Sequence, residues 1–226
     1  MSIYKQTAWS GVGKSVSILV PVNDMVHSHF TYSLTNLMKL TTQMGVETHL
    51  FFDASTILIN QREHLIEQAL EVNTDYVLWL DSDMMFPPST LLRLLNHDED
   101  LVGCNYMKRA YPFKTTAFTD TKDWENWIPI QYGDLQDAEA VGLGCCLMKT
   151  KIFKKLQKPY FEYTYQEKTK DWGGEDFTLF KKLKKEGFDL KIDMNLSNEI
   201  YHIGTFAYGR SMSSNSNKKK TWKNQK

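Results

Sequence analysis

The hydrophobic and polar positions in the first third of the chain follow a regular order of short apolar runs and longer amphipathic stretches. Apolar and β-branched residues dominate 16–22, 48–52 and 76–80, as is typical of strands buried within a sheet. The stretches 29–44 and 59–72 carry apolar residues at intervals of three and four, which is the spacing of amphipathic helices. This β-α-β-α-β order predicts parallel strands joined by right-handed crossovers. We therefore expect an α/β fold with three layers, α/β/α, around a mostly parallel central sheet.

The pattern becomes less regular after the third predicted strand. A short helix capped by Ser89 is predicted over 89–95, and a further strand is predicted over 101–104. Residues 105–127 are irregular and rich in aromatic side chains. This segment suits either a flap that faces a substrate or ordinary core and surface, and both interpretations stay open.

The remainder of the folded region has clearer signals. Residues 141–148 are apolar with two glycines, and 150–156 are predicted to form a short helix. The stretch 175–186 has apolar residues on one side and lysines on the other, so we predict an amphipathic helix that ends at Gly187. A last strand is predicted over 190–193.

The chain is predicted to form a single domain over 15–210, with a nucleotide-binding half at 15–104 and an acceptor and catalytic half at 105–210. An N-terminal arm, 1–14, precedes it. The tail, 211–226, is rich in serine, asparagine and lysine and is predicted to be disordered. Its lysines could make weak contact with an anionic membrane surface, while a solvated terminus is the competing interpretation.

Composition narrows the classes of protein that the chain could represent. The 226 residues are 42% hydrophobic, enough for a sizeable core, and 27 basic residues balance 27 acidic ones, so we expect no nucleic-acid partner. No stretch approaches the roughly 20 apolar residues that span a bilayer, so no transmembrane segment is expected. Cys104, Cys145 and Cys146 lack metal-ligand spacing, which favours a reducing compartment and a cytoplasmic location.

Two carboxylates, Asp81 and Asp83, follow the apolar run 76–80 directly. Ligand sites of open α/β sheets lie outside the carboxyl ends of the strands, so acids at this point meet a bound molecule. Carboxylate oxygens suit Mg²⁺ or Mn²⁺, which bind through one or two acids together with substrate phosphates. The acid pair therefore predicts a site for a metal-bound diphosphate.

Two later features add candidate chemistry. Gly173 and Gly174 lead into Glu175 and Asp176 at the start of the amphipathic helix, where acids either complement the helix dipole or serve as a general base. His202 follows the last predicted strand, and its imidazole either fills a structural position or joins carboxylates on a metal.

Taken in order, these features resemble the motifs of nucleotide-sugar-dependent glycosyltransferases of the GT-A fold, in particular the small glycosyltransferase-like proteins of bacteriophages and large DNA viruses. The resemblance spans about residues 15–209. The matching motifs are Val20-Pro21-Val22-Asn23, Asp81 with Asp83, the glycine-rich segment 142–146, Glu175-Asp176, and His202 with Gly204.

The resemblance implies a metal and a donor. In similar enzymes Mn²⁺ or Mg²⁺ neutralises the leaving diphosphate of a nucleotide sugar, here a UDP-sugar, and the matching metal ligands are Asp81, Asp83 and His202. Ser82 is expected in the same nucleotide site.

The resemblance also implies the nucleoside contacts. Pro21, Val22 and Asn23 would place backbone around the base. Asp53 matches an acid that contacts the nucleoside in similar enzymes, and Arg62 matches a basic position near the nucleotide.

By the same analogy, Asp176 is the general base of an inverting transfer, with Glu175 beside it. It would deprotonate a hydroxyl of a carbohydrate acceptor, a glycan or glycoprotein. In retaining relatives this region orients the acceptor instead, so the stereochemical outcome stays open.

Two other functions compete with glycosyl transfer. Sugar-phosphate nucleotidyltransferases also combine an α/β domain with metal-binding acids, but they usually carry a glycine-rich loop after the first strand, and residues 22–26 contain no glycine. A non-catalytic nucleotide- or sugar-binding module is the second alternative, which the joint presence of Asp81, Asp83, Asp176 and His202 disfavours.

Overall fold

The structure is a computed structural model that describes residues 13–120, 126–167 and 170–204. Most of the N-terminal arm, all of the tail 211–226 and the last residues of the predicted domain lie outside the described residues. In chain order the elements are β1 (Ser15–Pro21), α1 (Ser28–Gln43), β2 (Glu47–Asp53), α2 (Leu58–Val72), β3 (Tyr76–Leu80), β4 (Met84–Met85), α3 (Thr90–Asn96), β5 (Leu101–Gly103), β6 (Leu135–Ala138), β7 (Cys145–Lys149), a 3₁₀ turn (Thr150–Ile152), β8 (Thr164–Gln166), β9 (Asp171–Gly173), α4 (Glu175–Lys185), β10 (Leu190–Asp193), α5 (Met194–Ser197) and β11 (Tyr201–His202).

The central sheet has seven strands in the order β2-β1-β3-β7-β5-β10-β6. Strand β1 pairs in parallel with β2 and β3, and β10 pairs in parallel with β5. Strand β7 runs antiparallel between β3 and β5, and β6 runs antiparallel on the edge beside β10. Five of the seven strands thus share one direction, which confirms the mostly parallel sheet.

Alternate residues of the central strands face two separate cores, one on each side of the sheet. In β3, Val77 and Trp79 pack on the face covered by α2 and α4, while Leu78 and Leu80 pack on the face covered by α1 and α3. Because successive side chains of a strand point to opposite faces, a strand that is apolar throughout requires helices on both sides. The predicted α/β/α layers are therefore confirmed.

Several predicted elements differ from the observed ones. Ser89 precedes α3 but does not cap it with its side chain, because the backbone of Ser89 is already helical. The helix predicted over 150–156 is a 3₁₀ turn of three residues, Thr150–Ile152. The strand predicted over 101–104 ends at Gly103.

The two predicted halves share this one sheet. Strand β7, from the half beginning at residue 105, lies between β3 and β5 of the first half. Within the described ranges, no helix is both long and apolar enough to cross a membrane.

Candidate active site

The acid pair lies in a tight turn at the carboxyl end of β3. The N–H of Asp81 bonds to the carbonyl of Gly144, and the N–H of Met84 bonds back to the carbonyl of Asp81. Strand β4 begins at Met84 and pairs antiparallel with β11, which places His202 opposite Met84. The N–H of Ile203 also bonds to the carbonyl of Asp83. This small two-stranded sheet brings the late histidine to the acids.

His202 and Asp83 form the part of the site that suits a cation. Nε2 of His202 lies 3.4 Å from Oδ2 of Asp83, and Nδ1 lies 3.1 Å from the carbonyl oxygen of Met107. Nδ1 carries a proton when it donates to the carbonyl, so Nε2 faces the carboxylate, with a proton in the charged ring and with a lone pair that a cation can take in the neutral ring. A second partner that fixes the ring in this way is typical of metal-binding histidines.

The electrostatics of Asp83 agree with a charged carboxylate. Burial alone would raise its pKa, but contact with His202 and the charge of Arg109 hold that pKa below its usual value. Nη2 of Arg109 lies 2.9 Å from Oδ2 of Asp83, the same oxygen that faces His202. Asp83 is therefore ionised and already neutralised by a cationic side chain.

Asp81 points to a different partner. Its Oδ1 accepts a hydrogen bond of 3.1 Å from Nη2 of Arg62, and burial raises its pKa against the lowering effect of that guanidinium. As a result, no three metal-binding side chains of the described residues converge on one point. Asp83 and His202 come together as the sequence predicts, whereas Asp81 lies beside them with its carboxylate turned toward Arg62.

Arg62 is a buried cation at the base of the site. Its Nε donates to Oε1 of Glu175 at 3.0 Å, its Nη2 donates to Asp81, and its guanidinium lies 5.3 Å from the centre of the Trp79 ring. Burial would lower the pKa of Arg62, but the charges of Asp81 and Glu175 raise it above its ordinary value. The third nitrogen, Nη1, is buried without a hydrogen-bond partner among the described residues.

The predicted acids of α4 have different environments. Glu175 is buried and holds Arg62, whereas Asp176 is partly exposed and accepts a 2.8 Å hydrogen bond from the N–H of Phe177. Burial, followed by the charge of Glu175, raises the pKa of Asp176 to about 7. A Cβ at position 174 would lie 2.5 Å from Oδ1 of Asp176, so Gly174 is needed for the carboxylate to fold back over the helix start.

Tyr106 joins these groups although the sequence gives it no role. Its buried hydroxyl accepts a hydrogen bond from the N–H of Gly144, and its ring meets His202 edge-on with centroids 5.4 Å apart. A Cβ on Gly142 or Gly144 would lie 2.4 or 2.6 Å from that hydroxyl. The glycine-rich segment thus makes room for a tyrosine that supports His202.

A cavity of about 360 Å³ opens beside these residues. Its lining is Pro21, Val22, Asn23, Ser55, Thr56, Leu58, Gln61, Arg62, Asp81, Ser82, Asp83, Arg109 and His202. The nucleotide-site residues predicted from the sequence therefore lie on one surface, with one exception. The carboxylate of Asp53 is not in this lining, because it accepts a hydrogen bond from the N–H of Ser55 and meets Nδ1 of His64 at 3.1 Å.

Two residues of the cavity wall carry no sequence signal. Nε2 of Gln61 donates to the carbonyl of Val22 and so fixes α2 to the loop after β1. Arg109 belongs to the irregular aromatic segment, where no motif distinguishes it from the neighbouring Lys108. Its contact with Asp83 and its place in the cavity lining assign it to the site.

Part of the chain is similar to a known protein family. Residues 56–139 match the model of the Anp1 family. The mannan polymerase complex subunit mnn9 of Schizosaccharomyces pombe is 35% identical over 71 residues, which are 31% of this chain and 20% of that protein. The chain therefore aligns with about a fifth of that relative's length. The family match includes Arg62, the acid pair and Arg109 but ends before α4 and His202.

One solved structure shares the fold, and a second aligns more weakly. A197 from STIV superposes with a TM-score of 0.57 at 16% identity, over 85% of this chain and 86% of that one. The β-1,4-galactosyltransferase 7 of Drosophila, solved with manganese, UDP-Gal and xylobiose, has a TM-score of 0.48 at 17% identity, over 85% of this chain and 71% of that one. The fold therefore agrees with the predicted GT-A type.

Proposed function

We propose that this chain is a metal-dependent glycosyltransferase that moves a sugar from a nucleoside diphosphate donor to a hydroxyl of a carbohydrate acceptor. The observation that carries the proposal is the cavity whose wall brings together Asp83, His202 and Arg62, with Nη1 of Arg62 lacking a partner among the described residues. A buried donor without a partner costs about 1–3 kcal/mol, so the site favours a ligand oxygen at this point. A sugar diphosphate supplies such oxygens.

Side chains on the same wall of the cavity suit a divalent cation. Asp83 and His202 would hold Mn²⁺ or Mg²⁺, with Asp81 acting directly or through water. The cation would supply Lewis-acid stabilisation of the charge that develops on the leaving diphosphate. Uridine as the base follows from the resemblance of the motifs, and Pro21 to Asn23 would surround it.

Asp176 would act as the general base. With a pKa of about 7 it is poised near neutral pH, where a base combines availability with driving force. The acceptor oxygen would form a bond to the anomeric carbon as the bond from that carbon to the diphosphate oxygen breaks. The hydroxyl proton would pass to the Asp176 carboxylate.

The first test is calorimetric titration of UDP in the presence of Mn²⁺ and of chelator. We expect binding that requires the metal and that Asp83→Ala abolishes, while Asp189→Ala, which removes an exposed carboxylate paired with Lys184, leaves it unchanged. Binding of UDP by Asp83→Ala at wild-type affinity would contradict the metal assignment. Absence of UDP binding by the wild type would overturn the uridine donor.

The second test separates transfer from other chemistry. Incubation with UDP-sugars and Mn²⁺ should release UDP. A nucleotidyltransferase would instead release pyrophosphate from UTP and a sugar phosphate, and a binding module would release neither product. Asp176→Asn should keep UDP binding and lower transfer by about 10²- to 10⁴-fold, the usual contribution of a positioned base. Intact turnover in that variant would remove Asp176 from the chemistry.

A further inference from the structure

Two arginines neutralise the acid pair, and they are held very differently. Arg62 is 3% exposed, bonds both Asp81 and Glu175, and lies against Trp79. Arg109 is 50% exposed and meets Asp83 alone among the carboxylates of the described residues. Breaking the first pair would strand buried charges, whereas breaking the second returns an exposed guanidinium to water. Only the counter-ion of Asp83 can be exchanged at low cost.

Arg109 lies near the base of a hairpin-like loop and lines the cavity. The loop is closed by a bridge between Met107 and Thr115 and by the hydrogen bond from the N–H of Lys108 to the carbonyl of Lys114. Besides Asp83, the guanidinium donates through Nη1 to the carbonyl of Ile203 at 3.1 Å. Its side chain crosses the backbone at Gly204, where an added Cβ would lie 3.2 Å from its Cδ.

A bound cation would compete directly with this arginine. The Asp83 oxygen that Arg109 contacts is the one that faces His202, where the proposed function places the metal. A divalent ion on that oxygen would repel a guanidinium held within 3 Å of it. Guanidinium groups also match phosphate geometry with paired N–H donors, so a diphosphate in the same cavity offers the displaced arginine a new partner.

We propose that Arg109 is an exchangeable counter-ion, which occupies Asp83 in the free protein and moves to the diphosphate of the donor when a divalent cation takes its place. The inference rests on the proposed function. It makes the cation and the nucleotide cooperative. Arg109 opposes the cation alone, because its bond to Asp83 must break, and it favours the cation together with the diphosphate, because that bond is replaced.

The test measures two affinities in the wild type, Arg109→Ala and Arg109→Lys. Mn²⁺ alone is titrated and followed by electron paramagnetic resonance of the free ion, and UDP is then titrated by calorimetry at saturating Mn²⁺. We expect Arg109→Ala to bind Mn²⁺ alone about 2- to 5-fold more tightly, the loss of an exposed ion pair. It should bind UDP with Mn²⁺ about 10- to 100-fold more weakly, the loss of charge-assisted hydrogen bonds. Arg109→Lys keeps a positive charge without the paired N–H donors, so both of its affinities should lie between those of the wild type and Arg109→Ala.

The exchange predicts that Arg109→Ala changes the two affinities in opposite directions. The matched control is Arg93→Ala, which removes another arginine–carboxylate pair, with Glu199, outside the cavity lining, and should change neither affinity. If Arg109→Ala weakens both affinities or changes neither, the exchange is overturned while the proposed function stands. If the wild type binds no UDP with Mn²⁺, the uridine donor of the proposed function fails first, and the exchange with a UDP diphosphate fails with it.

Discussion

The raised pKa of Asp176 makes the stability of the protein depend on pH in a way that a single substitution can reveal. The folded protein holds the Asp176 proton up to about pH 7, whereas a carboxyl with its ordinary pKa of 3.8, as in the unfolded chain, releases it much earlier. The folded state therefore binds more protons than the unfolded state between these values, and stability falls as pH rises across them. Asp176→Asn keeps the shape of the side chain and removes the charge, so it should relieve this loss.

The magnitude follows from the two pKa values. The difference between 3.8 and about 7 corresponds to about 4 kcal/mol at 1.36 kcal/mol per pH unit, an upper bound for a carboxyl that keeps some contact with water. At about pH 4, both folded proteins are neutral at position 176, and the two should differ by less than about 1 kcal/mol. At about pH 8.5, the asparagine variant should be the more stable by about 2–4 kcal/mol.

Urea unfolding at four pH values between about 4 and 8.5 measures this difference directly. Asp171→Asn is the matched control, because the exposed Asp171 accepts the same 2.8 Å hydrogen bond from the next residue's N–H as Asp176 does. Its stability should follow the wild type at every pH. If the curves of Asp176→Asn and the wild type run parallel, Asp176 is solvated rather than destabilised when charged. Its assignment as a base poised near neutral pH would then lose its physical support.

Two further predictions concern the buried parts of the site. Arg62→Met should lower the free energy of unfolding by about 3–5 kcal/mol in urea titration, because it leaves two buried carboxylates without their cation. Adding Glu175→Gln to this variant should recover part of that loss. Equal stability of the single and the double variant would contradict a buried ion pair. Gly144→Ala should lower the free energy of unfolding by about 1–3 kcal/mol, since the added Cβ would lie 2.6 Å from the Tyr106 hydroxyl. Gly133→Ala should leave it unchanged in the same measurement, because no described atom lies within 4 Å of a Cβ added there.

The part of the fold that the sequence predicts well is the part whose signals are local. Strands β1 and β3 are apolar on both faces, and α1, α2 and α4 show a single apolar stripe. The pattern within each element therefore indicates its type and which of its faces are buried. The position of strand β7 in the sheet has no such local signal. Its residues, Cys145–Lys149, are equally apolar, but the choice of β3 and β5 as antiparallel partners depends on the whole sheet.

In the candidate site, too, the residues with a local motif are predicted from the sequence, and those placed by long-range contacts are not. Asp81, Asp83 and His202 carry motif information, and the structure places them together through the pairing of β4 with β11. The positions of Tyr106 and Arg109 depend on their contacts with Gly144 and Asp83, which no sequence spacing encodes. Motifs thus predict which charges are present, and only the packing determines which charge neutralises which.

The adjacent acids of α4 show why this difference matters for mechanism. Successive residues of a helix point about 100° apart, so Glu175 and Asp176 face different surroundings even though they are neighbours in sequence. Glu175 is directed inward and fixes Arg62, which in turn holds Asp81 at the wall of the cavity. Asp176 is left without a cationic hydrogen-bond partner among the described residues and so keeps a raised pKa. One acid therefore sets the position of the binding groups, and because it takes the arginine, the other is free to exchange a proton near neutral pH.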